Sequence, residues 1–374
     1  MDKMFKRILF LLQKQYTSIG GQAVIEGVMM RSPNSFVVAV RKPDGKIRLR
    51  RDQWFGLGKR FDIFKKPFLR GVLLLVETMA NGIVSLNYSA NIAMEDEIRE
   101  KERTKGLSED QITDKLKKKE KVNLSTFFTI FTSFLFGLGL FVFLPHVITA
   151  FVADFFELSW SLDSFEFHAI DGLIKGCIFI FYIFIIGFIP DIRRVFQYHG
   201  AEHKSISTFE AGKDLNVENA MNFTTLHPRC GTSFIFFLLL ISIIFFSALF
   251  ALIPVGGDLP IVLKHLTAII FKIFLMIPIA GVSYEIIKLA GKYSNNPMSK
   301  IISYPGMMLQ KLTTKEPDAK QLEVALASIK AVLFLEKKYN LEEAKEKVLK
   351  LDEIDIGSLS EIEIDEVKLE EFLE

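Results

Sequence analysis

The pentapeptide His199-Gly-Ala-Glu-His203 is the stretch of the sequence best suited to metal chemistry. A helix repeats every 3.6 residues, so two histidines four positions apart share one face and can bind the same ion. The spacing has the H-x-x-E-H form of inverted zinc-peptidase motifs, in which the histidines hold the metal and the glutamate activates water. We therefore expect a divalent metal, with zinc as the candidate, at His199 and His203. Glu202 becomes the candidate general base toward a water on that metal.

Three residues downstream of the pentapeptide are candidates for a third ligand. Glu210 lies on the same predicted helix, whereas His227 and Cys230 follow in a His-Pro-Arg-Cys-Gly-Thr-Ser stretch before an apolar run. Zinc accepts imidazole, carboxylate and thiolate ligands, and a catalytic site usually offers three protein ligands plus water. The sequence leaves the choice among Glu210, His227 and Cys230 open.

Glu26 is a second candidate catalytic carboxylate. It stands between apolar residues beside Gly27, in a segment whose other glycines, Gly20 and Gly21, allow close backbone approach to the metal site. The alternative is a half-exposed carboxylate on an edge strand.

A helix from Asp191 to Gly212 must present the two histidines. Gly200 within it costs about 1 kcal/mol of helix stability relative to alanine, which favours the interpretation that another segment approaches the histidines there. Basic residues surround the region, and they either set topology and contact lipid headgroups or bind an anionic substrate such as a phosphorylated lipid. They are Arg193, Arg194, Lys204 and Arg229.

The composition indicates an integral membrane protein. Half of the 374 residues are hydrophobic, 36 of them are Phe, and the mean hydropathy is +0.29, which excludes an ordinary soluble enzyme. The two cysteines, Cys177 and Cys230, give no disulfide framework. The lipid bilayer is the expected partner, and the sequence gives no indication of nucleic-acid binding. Four apolar runs have the length of spanning helices, at residues 124–152, 172–190, 233–253 and 261–287.

Loop charges orient these runs. The connection 153–171 contains five acidic residues and no lysine or arginine, whereas the connection 191–232 contains five basic residues. The positive-inside bias places the metal site and both termini in the cytoplasm. Lys272, inside the fourth run, is either a functional intramembrane charge or a lysine that snorkels to the outer surface.

The expected fold is an α-helical polytopic membrane protein with about four transmembrane helices and a small cytoplasmic N-terminal β-unit. Residues 1–70 form a basic arm and the β-unit, with a hairpin around Pro43-Asp44-Gly45. Residues 71–123 form an interfacial or re-entrant helix and a charged linker, and residues 124–290 form the membrane domain. Residues 291–374 form cytoplasmic helices, one from Asp318 to about Tyr339, and an acidic tail that is either a short helix or disordered.

With these motifs in order, the chain resembles the YqhQ-like family of bacterial membrane proteins, the domain of unknown function 1385. The resemblance covers nearly the whole chain and implies a bacterial inner-membrane location and a predicted metal dependence. The motifs that carry it are Gly-Gly-Gln-Ala-Val-Ile-Glu-Gly-Val-Met-Met-Arg at 20–31, Tyr-His-Gly-Ala-Glu-His-Lys at 198–204, His-Pro-Arg-Cys-Gly-Thr-Ser-Phe at 227–234 and Leu-Thr-Thr-Lys-Glu-Pro at 312–317.

Two classes of function remain open from the sequence. The leading hypothesis is a metal-dependent enzyme, a hydrolase acting on a lipid-linked or membrane-bound substrate at the cytoplasmic face. The alternative is a non-catalytic membrane assembly, transport or regulatory factor, in which the same histidines stabilise the fold or bind a partner.

Overall fold

The computed structural model describes residues 19–33, 35–53, 61–108, 110–112, 124–253, 259–292, 296–339 and 353–362. The basic N-terminal arm lies outside the described residues, as do parts of the charged linker and of the acidic tail. The protein is mostly helical, with one antiparallel sheet.

The sheet has five strands in the order β1-β2-β3-β4-β5. The hairpin predicted around Pro43-Asp44-Gly45 is confirmed, because Arg41 pairs with Ile47 across it and Gly45 has a φ of +88°. Both faces of the sheet are covered by helices, which explains why its strands contain continuous apolar runs. The strands are Gly20–Val24 (β1), Gly27–Arg31 (β2), Ser35–Arg41 (β3), Ile47–Gln53 (β4) and Ile354–Ile356 (β5).

The start of the acidic tail corrects a prediction, since it is neither a short helix nor disordered at this point. Ile354–Ile356 pairs antiparallel with β4, and the side chain of Asp355 accepts a 2.7 Å hydrogen bond from Arg48 Nε. Ile356 is buried in the core of the sheet unit. The alternation of isoleucine and aspartate suits a strand because it sends one side chain to the core and the next to solvent.

Within the described residues, five helices are long and apolar enough to cross a membrane, one more than the four predicted. The additional one has the lowest mean hydropathy of the five, 1.4. In order they are Leu69–Ala93, Phe127–Phe155, Phe165–Ile186, Gly231–Leu252 and Ile261–Leu289.

The additional helix, α1 (Leu69–Ala93), connects the membrane helices with the sheet. Arg70 Nε near its start donates a 2.7 Å hydrogen bond to Glu285, in the last third of the fifth apolar helix. Near its end, Ser89 Oγ accepts a 3.2 Å hydrogen bond from Ile25 N, and Tyr88 is buried against the sheet. The second half of α1 therefore covers a sheet face, and its interfacial position in the bilayer stays a prediction.

The other four apolar helices overlap the four predicted runs, although the second helix begins and ends earlier than the predicted 172–190. The first is composed of α3 (Leu124–Leu138), a π-helical turn (Gly139–Phe143) and α4 (Leu144–Phe155), and it follows α2 (Glu95–Arg103) of the charged segment. The others are α5 (Phe165–Ile186), α8 (Gly231–Leu252) and α9 (Ile261–Lys292). Helix α8 packs against both α5 and α9.

Three further helices build the unit that contains the predicted metal ligands. They are α6 (Pro190–Glu210), α10 (Pro297–Thr313) and α11 (Ala319–Tyr339), and the short helix α7 (Val217–Met221) lies between α6 and α8. The predictions of α6 and α11 are confirmed. Helix α11 is buried along one face through Leu322, Ala325, Leu326 and Ile329, and it packs on both α6 and the sheet. The histidine-bearing helix α6 is thereby held against α11 and against strands β1 and β2.

Candidate metal centre

The structure brings His199, His203 and Cys230 together. The two histidines lie one turn apart on α6, and Cys230 is the N-cap residue of α8. One coordinating atom from each residue lies within 4.8 Å of the other two, and the distance from His199 Nε2 to Cys230 Sγ is 3.1 Å. Of the three open candidates for a third ligand, the thiol is the one that converges with the histidines.

Backbone carbonyls fix the orientation of both imidazole rings. His199 Nδ1 donates to the carbonyl of Thr313 at 2.9 Å, and His203 Nδ1 donates to the carbonyl of Thr225 at 2.5 Å. A ring nitrogen that faces a carbonyl must carry the hydrogen, so each Nε2 presents a lone pair. This arrangement of a donor to the backbone and an acceptor to the site is typical of histidines that bind metals.

His203 Nε2 supports the same interpretation. It is buried and makes no hydrogen bond of acceptable geometry within the described part of the chain, although it lies beside the Cys230 thiol. A buried polar atom without a partner costs free energy, and such atoms are rare in folded proteins. A bound ion would satisfy this nitrogen.

The position of Cys230 suits an anionic sulfur. Thr232 N at the start of α8 donates to Cys230 Sγ at 3.4 Å, and the Thr232 hydroxyl lies 3.2 Å from the same atom. The N-terminus of a helix favours negative charge because its first amides have no partner within the helix. Thiolate is the form of cysteine that binds metals.

The donor set fits zinc, and so does the distance between two of its atoms, His199 Nε2 and Cys230 Sγ. Zinc–sulfur and zinc–nitrogen bonds of about 2.3 and 2.0 Å at a tetrahedral angle separate the two ligand atoms by roughly 3.5 Å. His199 Nε2 and Cys230 Sγ are 3.1 Å apart, so a displacement of about 0.4 Å would admit the ion.

Burial sets the protonation of the neighbouring groups. It lowers the pKa of His203, against the opposing effect of Cys230, and it lowers the pKa of His227 to about 4. Both imidazoles are therefore neutral near pH 7, and neutral imidazole is the form that binds metal. Burial also raises the pKa of the Glu202 carboxyl, whereas His199 and His227 act in the opposite direction.

Glu202 lies beside the three converging residues and not among them. It accepts a hydrogen bond from Gly21 N, and a Cβ on Gly21 would lie 2.9 Å from Glu202 Oε1. The glycine-rich segment at Gly20 and Gly21 therefore approaches the site closely, as predicted. Its contact is with Glu202, and it does not bring Glu26 to the candidate metal ligands.

Glu26 occupies a different position. Its carboxylate pairs with Arg194 and accepts a 3.3 Å hydrogen bond from the Tyr198 hydroxyl. It lies in the turn between β1 and β2 with a φ of +52°, a left-handed conformation that is uncommon outside glycine. The structure does not place Glu26 with His199, His203 and Cys230.

Glu210 and His227 form a neighbouring pair. Glu210 Oε2 lies 3.4 Å from His227 Nε2, and the same carboxylate pairs with Arg229. The rings of His227 and His203 are 5.7 Å apart between centroids. These two predicted ligands border the converging triad.

Most of the surrounding basic residues have carboxylate partners within the chain. Arg194 pairs with Glu26, Arg229 pairs with Glu210, and the buried Lys204 pairs with Glu316. These partners reduce the positive charge offered to an anionic substrate, and binding of such a substrate stays a prediction.

The prediction that another segment approaches the histidines at Gly200 is confirmed. A Cβ on Gly200 would lie 2.1 Å from the carbonyl oxygen of Lys315, and Lys315 N donates to Phe196 O at 2.9 Å. The segment is the Leu-Thr-Thr-Lys-Glu-Pro motif at 312–317, which includes the Thr313 carbonyl that orients His199. We call residues 312–317 the crossing segment.

Sequence reasoning missed the residues that orient the ligands. The carbonyls of Thr225 and Thr313 carry no side-chain signature. Gln310 holds the backbone of His227 at both N (2.9 Å) and O (2.8 Å), and its burial inside α10 was not foreseen. A polar residue in the apolar half of an amphipathic helix is a signal that could have identified it.

Comparison with known proteins identifies the family. A family model described as "Protein of unknown function (DUF1385)" matches residues 66–334. The chain is 36% identical over 326 residues to "Uncharacterized protein YqhQ" of Bacillus subtilis (strain 168), which covers 85% of this chain and 92% of that protein. No solved structure matches the present chain. The chain belongs to the DUF1385 family.

Proposed function

We propose that this protein is a metal-dependent membrane enzyme of the hydrolase class, with zinc bound by His199, His203 and Cys230. The observation that carries the proposal is the convergence of these three ligands while both histidine Nδ1 atoms donate to backbone carbonyls. Such fixation of the rings costs conformational freedom in the absence of an ion and increases the affinity for one when it binds.

The proposed location of the site is the cytoplasmic face of a bacterial inner membrane. Helix α6 begins at Pro190, four residues after α5 ends at Ile186, so the ligands lie close to the membrane surface. The basic connection 191–232 supports the cytoplasmic side, and the same bias places both termini there. A site at this position favours a substrate held in or on the bilayer, such as a lipid-linked molecule.

The ion would polarise the substrate and activate a water molecule. The residues of the chain supply the remaining functions. Glu202 is the proposed general base, because it is a buried carboxyl next to the ligand His203 on α6, and burial raises its pKa and so favours the acceptance of a proton. Gly21 N orients that carboxyl.

Metal analysis of the purified full-length protein in lipid nanodiscs tests the ligand set. We expect about one zinc per chain in the wild type and less than a tenth of that in His199→Ala/His203→Ala and in Cys230→Ser. Cys177→Ser is the matched control, since Cys177 is the exposed cysteine on α5, and it should retain the metal. Equal metal contents in the wild type and the double variant would overturn the proposal.

A second candidate is a structural metal that stabilises the fold without catalysis. The observation in its favour is that the centre joins three separate segments: α6, the 225–230 segment and the crossing segment. An ion there would hold them together whether or not it binds water.

Cobalt substitution distinguishes the two candidates. Cobalt(II) reports its coordination by its visible absorption, and a catalytic site keeps one position open, whereas a structural site is closed. We expect the spectrum of the cobalt-loaded protein to change when acetohydroxamate or thiocyanate is added. A spectrum that these anions leave unchanged would contradict the enzyme and support the structural metal.

A further inference from the structure

A second polar cluster lies inside the membrane-spanning helices. Lys272 of α9 and Asp171 of α5 form an ion pair of 2.7 Å, and each side chain is only 2% exposed. The sequence left open whether Lys272 snorkels to the surface, and the structure answers that it does not. It also corrects the assignment of Asp171, which the sequence analysis counted in a connection and which is buried in α5.

This cluster and the metal centre lie at opposite ends of α5. Asp171 is in the second turn of α5, whereas α6 with its two histidines follows the end of the same helix. The 15 residues of α5 that follow Asp171 span about 22 Å of helix, which is most of the thickness of a bilayer core. With the metal centre in the cytoplasm, the cluster is in the outer half of the membrane.

Hydrogen bonds connect Lys272 to two histidines in series. Lys272 Nζ lies 3.4 Å from His146 Nδ1, and His146 Nε2 lies 2.8 Å from His265 Nδ1. An ammonium group donates and cannot accept, so His146 must accept at Nδ1 and carry its hydrogen on Nε2. That hydrogen is donated to His265 Nδ1, so His265 carries its own hydrogen on Nε2. In both hydrogen bonds the donor is therefore the group nearer to Lys272, and the acceptor is the group nearer to the surface.

The two ends of this chain differ. His265 is half-buried and lies in the second turn of α9, near the end of the helix, whereas Lys272 and His146 are buried. At the inner end Asp171 Oδ1 is buried without a hydrogen-bond partner among the described residues. The hydroxyls of Ser242, Ser247 and Ser283 on α8 and α9 donate to carbonyls of their own helices, so none of the three continues the hydrogen-bond chain. The hydrogen-bond chain therefore reaches the surface at His265 and ends inside the protein at the Lys272–Asp171 pair.

We propose that Lys272 exchanges its proton with the outer aqueous phase through His146 and His265. On release, Lys272 gives a proton to His146 Nδ1, His146 gives its Nε2 hydrogen to His265 Nδ1, and His265 gives its Nε2 hydrogen to a water molecule. Three N–H bonds break, and two N–H bonds and one O–H bond form. Lys272 ends neutral, both histidines end as the Nδ1–H tautomer, and uptake is the reverse. Ionisable residues buried inside membrane helices commonly mark such proton paths.

The groups that face the ion pair come from all of the packed helices. His168 of α5 donates from Nε2 to the Leu162 carbonyl at 2.7 Å and is not a link in the chain. Lys175 of α5 lies 5.7 Å from the Phe246 ring of α8, and Lys272 lies 5.9 Å from the same ring. Lys175 is therefore a matched control, since it is a second, half-buried lysine near the same aromatic ring and has no hydrogen bond to the histidines of the described residues.

Solid-state NMR of the full-length protein in lipid vesicles tests the proposal, with nitrogen-15 in histidine and lysine. The protein has six histidines, and single substitutions assign the signal of each ring. We expect the Nε2–H tautomer at both His146 and His265 at neutral pH, and inversion of both rings to Nδ1–H when Lys272 loses its proton at high pH. Observation of the Nδ1–H tautomer at His146 in the wild type at neutral pH would overturn the proposed hydrogen-bond chain.

Hydrogen exchange at the Lys272 ammonium supplies the second readout. His265→Asn changes a half-buried residue at the entrance and should slow this exchange at least tenfold, whereas Lys175→Met should leave it unchanged. Exchange that continues at the wild-type rate in His265→Asn would show that the proton takes another route and would overturn the proposal.

Discussion

The two histidine clusters of this protein differ in the partners of their ring nitrogens, which are backbone carbonyls in one cluster and side chains in the other. At the metal centre, His199 and His203 donate to the carbonyls of Thr313 and Thr225, which are parts of the backbone. In the membrane cluster, His146 bonds to two side chains, Lys272 and His265. Backbone carbonyls never change protonation, so the first pair of rings is held in a single tautomer. Side-chain partners can exchange protons, so the second pair can change tautomer.

The difference shows how one residue type is directed to two kinds of chemistry. A metal needs a fixed lone pair, and a carbonyl partner supplies it by holding the hydrogen on the opposite nitrogen. A proton path needs rings that accept on one nitrogen while they donate from the other. The four predictions below test this contrast, from the largest expected effect to the smallest.

The largest effect is expected for Asp171→Leu, which leaves the Lys272 ammonium buried without its carboxylate. Breaking a buried pair by removing one partner costs about 3–5 kcal/mol, whereas replacing both partners with apolar residues is often neutral. We expect the single variant to lower the free energy of unfolding by that amount and Asp171→Leu/Lys272→Met to recover most of it. Denaturant titration in detergent measures both. A double variant less stable than the single one would show that the pair is not the source of the effect.

The second effect is a pH dependence that arises from His227. Its pKa is about 4 in the folded protein because of burial and 6.5 without that burial. Between these values the unfolded chain binds more protons, so the free energy of unfolding falls as the pH drops from about 6.5 toward 4. The maximum loss is about 3 kcal/mol, since each pKa unit corresponds to about 1.4 kcal/mol.

The raised pKa of Glu202 contributes to the free energy of unfolding with the opposite sign, since the folded protein keeps that proton to a higher pH than the unfolded chain does. The difference between wild type and His227→Asn isolates His227. We expect the variant to lose stability less steeply over this range in denaturant titrations at several pH values. Identical slopes would contradict the prediction.

The third prediction concerns the backbone fixation of His199. Gly200→Ala places a methyl group against the carbonyl of Lys315 and displaces the crossing segment together with Thr313. Loss of the partner that orients a ligand typically reduces metal affinity 10–100-fold. Competition with a zinc chelator of known affinity measures the change. Gly231→Ala is the control, because it stands beside Cys230 with nothing within 4 Å of its added methyl group. Equal affinities in the two variants would argue against fixation by the crossing segment.

The smallest effect is expected for Glu26→Gln. Its partner Arg194 is 49% exposed, and exposed ion pairs contribute about 0–1 kcal/mol. We expect an unchanged metal content and a loss of stability within that range. A loss of zinc in this variant would restore Glu26 as a residue of the centre, which the structure does not indicate.

The parts of the fold that follow from local patterns were predictable from the sequence. Hydrophobic runs of the right length identified four apolar helices, and the flanking residues of α6 and α11 indicated their bounds. The spacing of His199 and His203 also predicted that their side chains lie together, because a helix fixes that geometry by itself.

The remaining features depend on contacts between distant parts of the chain. Cys230 converges with the two histidines because α8 begins beside α6, and the sequence spacing could not decide this among the three candidates. His168, Asp171 and Lys175 lie at intervals of three and four on a helix, which is a polar stripe that could have been recognised. They were missed because the acidic residues were assigned together to the preceding connection.

The pairing of β5 with β4 and the crossing segment have one consequence for biosynthesis. Thr313 and Ile354–Ile356 follow the last of the apolar helices, whereas their partners His199 and Ile47–Leu49 precede it. A ribosome therefore synthesises these last parts of the candidate metal centre and of the sheet after the five apolar helices of the described residues. The centre reaches its final form last, so a chain halted during insertion would contain both histidines without the carbonyl that orients His199.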